Sequence, residues 1–497
     1  MALTKVTYSM IEGAVTNVLD FGADPTGSTS SSIAFQNAIN SLPNGGSVYL
    51  PSGTYLLDIT NGVALNDNIT IFGEGTASII RFGNQDSLKA DSKSNITIQS
   101  VKFQSENARI YFKACTNVQI INCIANGLRT SGGNLTQQGF WFAGCNQILI
   151  ENIFAQDYRD CIYFAPDNTT PCGTVTVRGG LIEQTTHGSG LQYPTGVYFF
   201  QVEYGYVENV TFKNIKPSAD STDPDPVGYG VYEGDGTDGN IKLISIKDCT
   251  FVDDDGYTAF PMKGILISVS ESGDVNGCTF NGSFMGFVYG ARNQKIQNCL
   301  FNSSYVWTYK TNGITGYKNQ LFSNNVFQNV STYPLIIQNG SSPVVESCLV
   351  IGNTFQNCAY GVWANFVTYP VFIGNKFIDC NTAGSTSNDW TKGAIVFYGP
   401  QQGFVDGNTV MNLNNGLSDY AVVSAATAHG IVVTANNYFK GMLIGPMLRP
   451  LTAPPTTFSW QPGDSIYNWS PSSGAAPGWV CVTGGTPGTW KAMANFA

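Results

Sequence analysis

Asn209-Val-Thr-Phe212, Asp248-Cys-Thr-Phe251, Gly277-Cys-Thr-Phe280, Asn298-Cys-Leu-Phe301, Gly352-Asn-Thr-Phe355 and Gly374-Asn-Lys-Phe377 are copies of one phrase. It reads as a small polar residue or Gly, two variable residues, then Phe. From Phe212 through Phe251, Phe280, Phe301, Phe327, Phe355 and Phe377 the gaps are 39, 29, 21, 26, 28 and 22 residues. A constant core phrase at irregular intervals of this size is a solenoid signal, with insertions falling between the phrases. Outward from this stretch the same texture runs from Asn95 to Phe439. Earlier strands read Asn68-Ile-Thr-Ile, Asn95-Ile-Thr-Ile, Asn117-Val-Gln-Ile and Asn146-Gln-Ile-Leu-Ile. The expected fold is all-β, a single-stranded parallel β-helix over residues 18–445, because a solenoid grows by adding coils to one core.

A second strand recurs in each coil: Gly139-Phe-Trp-Phe, Asp160-Cys-Ile-Tyr-Phe164, Gly196-Val-Tyr-Phe, Gly230-Val-Tyr-Glu233, Gly264-Ile-Leu-Ile, Gly286-Phe-Val-Tyr and Gly361-Val-Trp-Ala. Period-2 alternation sends Phe140 and Phe142, Ile162 and Phe164, Val197 and Phe199 inward. Trp141, Tyr163, Tyr198, Tyr232, Leu266, Val288 and Trp363 then face outward. Such a stripe needs a cover, from loops or a neighbouring subunit, or a ligand whose flat rings stack on it. Glu233 interrupts the inward column. Either the strand bends there and the side chain emerges, or burial raises its pKa as a glycosidase acid requires.

Residues 155–240 collect most of the acids near that stripe. Asp157-Tyr-Arg-Asp160 precedes the Tyr163 strand, Glu203 follows the Tyr198 strand, and Asp235 and Asp238 follow Glu233 in a Gly-rich loop. Asp220, Asp223 and Asp225 crowd the preceding loop. Carboxyl groups on either side of a sugar bond can hydrolyse it. The candidate catalytic residues are therefore Glu233 and Asp235, with Glu203, Asp160 or Asp157 as partner. Trp141, Tyr163, Tyr198, Tyr232, Trp363, Arg159 and His187 are the candidate sugar-binding residues, Arg159 by holding a carboxylate. Elimination across a uronic acid is the competing chemistry, with Arg159, Arg178 and His187 as its basic groups.

Bulk properties narrow the class. The 497 residues include 55 Gly, are 12 % charged and carry a net charge of −10, with no basic stripe, so nucleic acid is not an expected partner. Neither a transmembrane-length apolar run nor a signal-peptide layout is read. The two His, His187 and His429, lack ligand spacing, so no metal or cofactor is expected. The twelve Cys form no C-x-x-C pair, and Cys249, Cys278 and Cys299 share one repeat slot, as buried small apolar groups would. Domain readings are a short N-terminal linker or anchor at 1–17, a capping helix at about 32–42 with Ser residues at its start, and a compact β module at 446–497. The last segment is marked by Pro-Gly turns and by Trp460, Trp469, Trp479 and Trp490.

Asp20-Phe-Gly-Ala-Asp24, the helix after it and Gly46-Ser-Val-Tyr-Leu-Pro-Ser-Gly-Thr-Tyr55 resemble the opening of the pectate-lyase-like right-handed β-helix superfamily. Within it, Thr4-Lys-Val-Thr-Tyr-Ser-Met10 and the chain's ending resemble bacteriophage tailspike depolymerases. That resemblance implies a right-handed helix and a homotrimer. It also implies attachment to a phage tail or another tail protein through the N-terminus, and a C-terminal module used for trimerisation or sugar contact. The implied substrate is a bacterial capsular polysaccharide or lipopolysaccharide glycan. The implied activity is an endo-glycosidase working from the virion tail, with a lyase or a non-catalytic spike as alternatives.

Overall fold

The computed structural model describes residues 15–494 apart from 59–61, 84–87, 106–108, 129–137, 186–192, 218–226, 235–240, 257–260, 268–269, 283, 289–291, 309–318, 339–346, 381–392, 399–401, 412–419, 425–430, 435, 440–442, 445–452, 455, 457–461, 464, 469–471 and 486. The chain is a right-handed parallel β-helix that divides into two compact units, residues 1–294 and 295–497.

In the first unit, one sheet stacks β-branched side chains in register. Ile98, Ile120, Ile150, Val177, Val207, Ile246 and Val275 form one such inward row, each buried. The small polar residue of the repeat phrase bends the backbone between consecutive strands of this sheet. Asn209, Asp248 and Gly277 have φ of 54°, 52° and 68°, the left-handed region open mainly to Gly, Asn and Asp. The Phe that follows points inward. The ring centroids of Phe212 and Phe251 lie 5.0 Å apart, and those of Phe251 and Phe280 4.7 Å apart, nearly coplanar.

The second sheet of this unit contains the strands Val63–Ala64, Leu88–Asp91, Ile110–Lys113, Gln138–Ala143, Asp160–Ala165, Thr195–Phe199, Gly228–Glu233, Met262–Leu266 and Met285–Val288. Its recurrent Gly is the seat of the Phe stack. A Cβ on Gly196, Gly230 or Gly264 would stand 2.7, 2.7 or 2.9 Å from the ring of Phe212, Phe251 or Phe280. Two repeated letters of the sequence are thus the two sides of one contact.

Helix Ser32–Asn40 closes the N-terminal end, burying Ala34, Phe35, Ala38 and Ile39. Its Gln36 accepts from Ala64 N at 2.9 Å and donates to Ala64 O at 3.2 Å, so a side-chain amide completes the edge strand. The expected Ser cap takes another form. Ser31 makes no side-chain bond to the helix; its Oγ accepts from Asp24 N at 2.9 Å and ties the opening loop down.

The second unit repeats the coil. Phe301, Phe327, Phe355 and Phe377 stack at 4.5, 5.1 and 4.7 Å. Asn325, Asn353, Asn375 and Asn408 are fully buried, and each Nδ2 donates to the Oδ1 of the Asn in the next coil at 2.9 to 3.0 Å, ending on Asn437. Within 446–497 the strands Ser465–Tyr467, Gly478–Thr483 and Thr489–Ala492 form an antiparallel sheet, in which Trp479 and Cys481 are buried. All twelve Cys are free and buried.

Two substitutions test the seat of the Phe stack. Phe251→Ala should cost about 3–5 kcal/mol by leaving a cavity, and Gly230→Ala about 1–3 kcal/mol by overpacking. Phe251→Leu should recover part of the Gly230→Ala loss. Urea denaturation measures all three, and a neutral Gly230→Ala would refute the contact.

Candidate functional site

The outward face of the second sheet carries two columns. The first aligns Lys89, Tyr111, Trp141, Tyr163, Tyr198, Tyr232 and Leu266 strand by strand. Its rings touch along the whole run: Tyr111–Trp141 at 5.1 Å, Trp141–Tyr163 at 5.6 Å, Tyr163–Tyr198 at 4.9 Å and Tyr198–Tyr232 at 4.8 Å. The second column, one residue before the Gly slot, aligns Gln138, Asp160, Thr195, Tyr229 and Lys263. A cleft of about 340 Å³ opens where the columns meet, lined by Arg159, Asp160, Tyr193, Thr195, Tyr198, Val227, Tyr229 and Tyr232.

Asp160 begins its strand at the cleft and is 2 % exposed. Arg159 donates to its Oδ2 through Nε at 3.0 Å and Nη2 at 2.7 Å, and Gln138 Nε2 lies 3.3 Å away. Burial nevertheless pushes the Asp160 carboxyl above its ordinary value, against the opposing pull of Arg159, Gln138 and Thr195. Desolvation, with the nearby Asp160 charge, pushes the Tyr163 phenol up to about 12. The cleft thus holds a carboxyl group biased toward its protonated form, a guanidinium and several phenols.

The other acids read from sequence occupy different places. Glu233 is fully buried in the inward column beside Phe199, so its strand does not turn it out to solvent. The register sets Glu233 two strands beyond Asp160 and four residues further along. At about 3.3 Å per residue and 4.8 Å per strand, their Cα atoms are roughly 16 Å apart. Paired glycosidase carboxyls stand about 5–9.5 Å apart. Asp157, with φ of 60°, clasps the next coil: it accepts from Thr185 N at 2.9 Å and Thr185 Oγ1 at 2.8 Å. Glu203 is exposed at the start of Val202–Glu208, a strand of the other sheet. Arg178 also belongs to that sheet, bridging Glu151 and Glu208 at 3.6 and 3.3 Å. Asp235, His187, His429, Asp238, Asp220, Asp223 and Asp225 lie outside the described residues.

Trp363 belongs to the second unit, in register with Ile336 and Val396. It sits 5.5 Å from Tyr333, which stacks on Tyr360 at 4.6 Å. Leu266 receives from its own chain the cover that the outward stripe needs. It is 5 % exposed because Val227, Tyr229 and Tyr232 of its own chain pack over it. Tyr111 was missed because Arg109 stands where the other strands have Gly; the second column is legible only when the residue before each Gly is aligned.

Behind the cleft runs a buried polar chain. Gln184 Nε2 donates to Tyr158 O at 3.2 Å, and its Oε1 accepts from Lys216 N at 3.1 Å. Lys216 is itself fully buried, and its Nζ meets Asp253 and Asp255 at 2.5 and 2.7 Å. Asp253 in turn accepts from Met262 N at 3.1 Å. The chain therefore links the residue before Arg159 to the residue before Lys263, tying the Asp160 and Lys263 strands of the second column together. Among the described residues, no group of three or more His, Cys, Asp or Glu is placed to hold a metal ion. No described helix is long and apolar enough to cross a membrane.

Residues 15–91 match the family model for rhamnogalacturonase A/epimerase, pectate lyase-like, and residues 267–442 match that for the right-handed β-helix region. Both matches agree with the right-handed parallel β-helix described above. No curated protein matches the sequence. Solved structures of similar fold include tailspike protein 3 of bacteriophage CBA120, at 13 % identity over 100 % of this chain and 72 % of that one, with a TM-score of 0.45. The family 28 exopolygalacturonase of Yersinia enterocolitica is 12 % identical over 79 % of this chain and 78 % of its own, TM-score 0.45. The A-module of the Azotobacter vinelandii mannuronan C-5 epimerase AlgE6 is 15 % identical over 85 % and 98 %, TM-score 0.44.

Replacing Lys216 by Met should deprive the half-buried Asp253 and the exposed Asp255 of the cation they share and cost about 1–3 kcal/mol. Adding Asp253→Asn and Asp255→Asn should recover part of that loss. A thermodynamic cycle by chemical denaturation reads the coupling, and purely additive effects would show that the triad is not a unit.

Proposed function

We propose that this chain is an endo-acting glycosidase that cuts a bacterial surface polysaccharide, capsule or O-antigen, as the depolymerase of a phage tailspike. The observation that carries the reading is a buried carboxyl group, Asp160, whose pKa burial pushes upward, on the strand of the middle ring in a continuous column of five aromatic rings. Sugar rings stack on aromatic faces, and a column that crosses strand after strand suits a polymer rather than a monosaccharide. Asp160 in its acid form donates its proton to the glycosidic oxygen as the C–O bond breaks, and water then adds at the anomeric carbon, its proton returning to the Asp160 carboxylate. Arg159 holds Asp160 in place and offers charge to the substrate. In this reading the protein works at the tip of a virion tail, as a homotrimer held through its N-terminal residues.

A lyase is the second reading, favoured by one observation: the cleft sets the Arg159 guanidinium among the phenols of Tyr193, Tyr198, Tyr229 and Tyr232. Elimination would use these to neutralise a uronate and move its proton. Digestion of a panel of purified capsules and O-antigens, read by mass spectrometry, separates the cases. Hydrolysis adds water and gives new reducing ends, whereas elimination gives an unsaturated, ultraviolet-absorbing end. No fragmentation of any glycan would end both readings.

Asp160→Asn should lower turnover by about 10²- to 10⁴-fold. Glu233→Gln should retain turnover within about tenfold unless the fold itself suffers. Asp235→Asn in the same series tests the remaining acid. The sign of the pH dependence follows from the raised carboxyl. The acid must hold its proton, so turnover should persist above the ordinary carboxyl range and decline as pH rises through the Asp160 pKa. A pH–rate profile lacking that decline would remove Asp160 from the role.

A further inference from the structure

We infer that Gly234 is the positioning residue that holds the cleft open, by giving the Tyr198 phenol a seat on bare backbone. The inference rests on the reading of the cleft as a glycan site and assigns the residue that sets its width. Gly234 follows the last residue of Gly228–Glu233 and continues the ladder, its N–H donating to Phe199 O at 2.9 Å. Its φ lies outside the left-handed region, so the local backbone conformation does not require Gly. The ring of Tyr198 does. A Cβ at 234 would stand 2.4 Å from Tyr198 Oη, 2.4 Å from its Cε2 and 2.8 Å from its Cζ. On earlier strands Ala143 and Ala165 hold the corresponding place, two residues past Trp141 and Tyr163, and both are buried.

The seat decides which way the ring lies. Register pairs Tyr198 with Tyr232, so Gly234 stands on the next strand, two residues past the partner of Tyr198. Thr195 and Tyr229, cleft residues of the same two strands, stand three residues before Tyr198 and Tyr232. The phenol therefore leans along the strands away from Thr195 and Tyr229, and the space it leaves is the cleft. Other rings close its flanks. Tyr163 and Tyr232 lie 4.9 and 4.8 Å away, inclined at 53° and 60°, and Phe200 meets it edge-on at 6.2 Å. A side chain at 234 would lift the phenol off the backbone and toward the cleft. What would give way there separates Gly234 from Gly that serves the core. A Cβ on Gly228 would meet Ile215 O at 2.2 Å, and one on Gly127 would meet Asp157 O at 2.1 Å, both fixed backbone atoms. At Gly234 the three nearest atoms all belong to the far end of one side chain. A ring can change rotamer where a peptide cannot step aside. Gly234→Ala should therefore move Tyr198 and spare the fold.

Three readouts on the full chain test this. The Tm of Gly234→Ala should stay with that of the wild type. If Gly234→Ala does not fold, adding Tyr198→Ala decides: recovered folding supports the ring contact, and continued loss shows that the Gly serves the backbone and overturns the inference. Tetranitromethane nitrates accessible phenols, and peptide mass spectrometry places the nitro groups. Lifted from its seat, Tyr198 of Gly234→Ala should be nitrated about tenfold faster than in the wild type, with Tyr206 of the other sheet as an unchanged reference. An unaltered Tyr198 rate in a folded Gly234→Ala protein overturns the inference. Turnover is the third readout, on the capsule that the digestion panel identifies. A narrowed cleft should raise KM about tenfold with a smaller fall in kcat, because binding is lost to substrate and transition state alike. Gly234→Ala with Tyr198→Ala should then be no worse than Tyr198→Ala alone, and additive losses overturn the inference. A panel without cleavage ends the glycosidase reading, and melting and nitration still decide whether Gly234 seats the phenol.

Discussion

The contact between a stacked Phe and a missing side chain organises this molecule. Three successive coils of the first unit place a Phe under the preceding strand of the opposite sheet, at Gly196, Gly230 and Gly264, where only Gly leaves room for the ring. Burial of such a ring contributes a few kcal/mol, and parallel stacking adds to it. In these coils the contact fixes the radial position of both sheets. The loops between phrases can then vary in length without moving the core.

That constraint explains why chemistry gathers on the outer face of the second sheet. The inward side of each strand is committed to Phe, Val and Ile. Flanking the Gly slot, the residue before it and the residue two after it point outward and repeat with the coil. A side chain put at either position acquires neighbours of the same position at strand spacing. An aromatic column and a polar column are the direct outcome, and Asp160 is the polar column's acid. Its burial comes from its neighbours, and the Gln184–Lys216–Asp253 chain behind it keeps those neighbours in place.

Much of this was legible in the residues. Phe spacing announced the coil, and Asn or Gly before it announced the left-handed bend. Period-2 alternation placed Trp141, Tyr163, Tyr198 and Tyr232 on one line because inward and outward positions differ sharply in polarity. What failed to show depended on contacts between coils separated by loops of unequal length. Thr195, Tyr229 and Lys263 follow loops of unequal length, and only the register aligns them with Asp160. Glu233 looked reactive because an acid in an apolar column is unusual; the register shows it enclosed on the inward side, next in sequence to Tyr232 of the cleft. What covers Leu266 was not legible, because alternation cannot see Val227 and Tyr229 folding back over it.

The Gln36 side chain deserves a wider reading than that of a single pair of hydrogen bonds. A stack of identical parallel strands has the geometry of a growing fibre, and its first strand would welcome a foreign segment as readily as its own continuation. By filling the donor and acceptor of Ala64 with an amide that cannot itself be extended, the helix acts as a terminator of polymerisation. The first strand is thereby closed to end-to-end pairing with another copy of the chain.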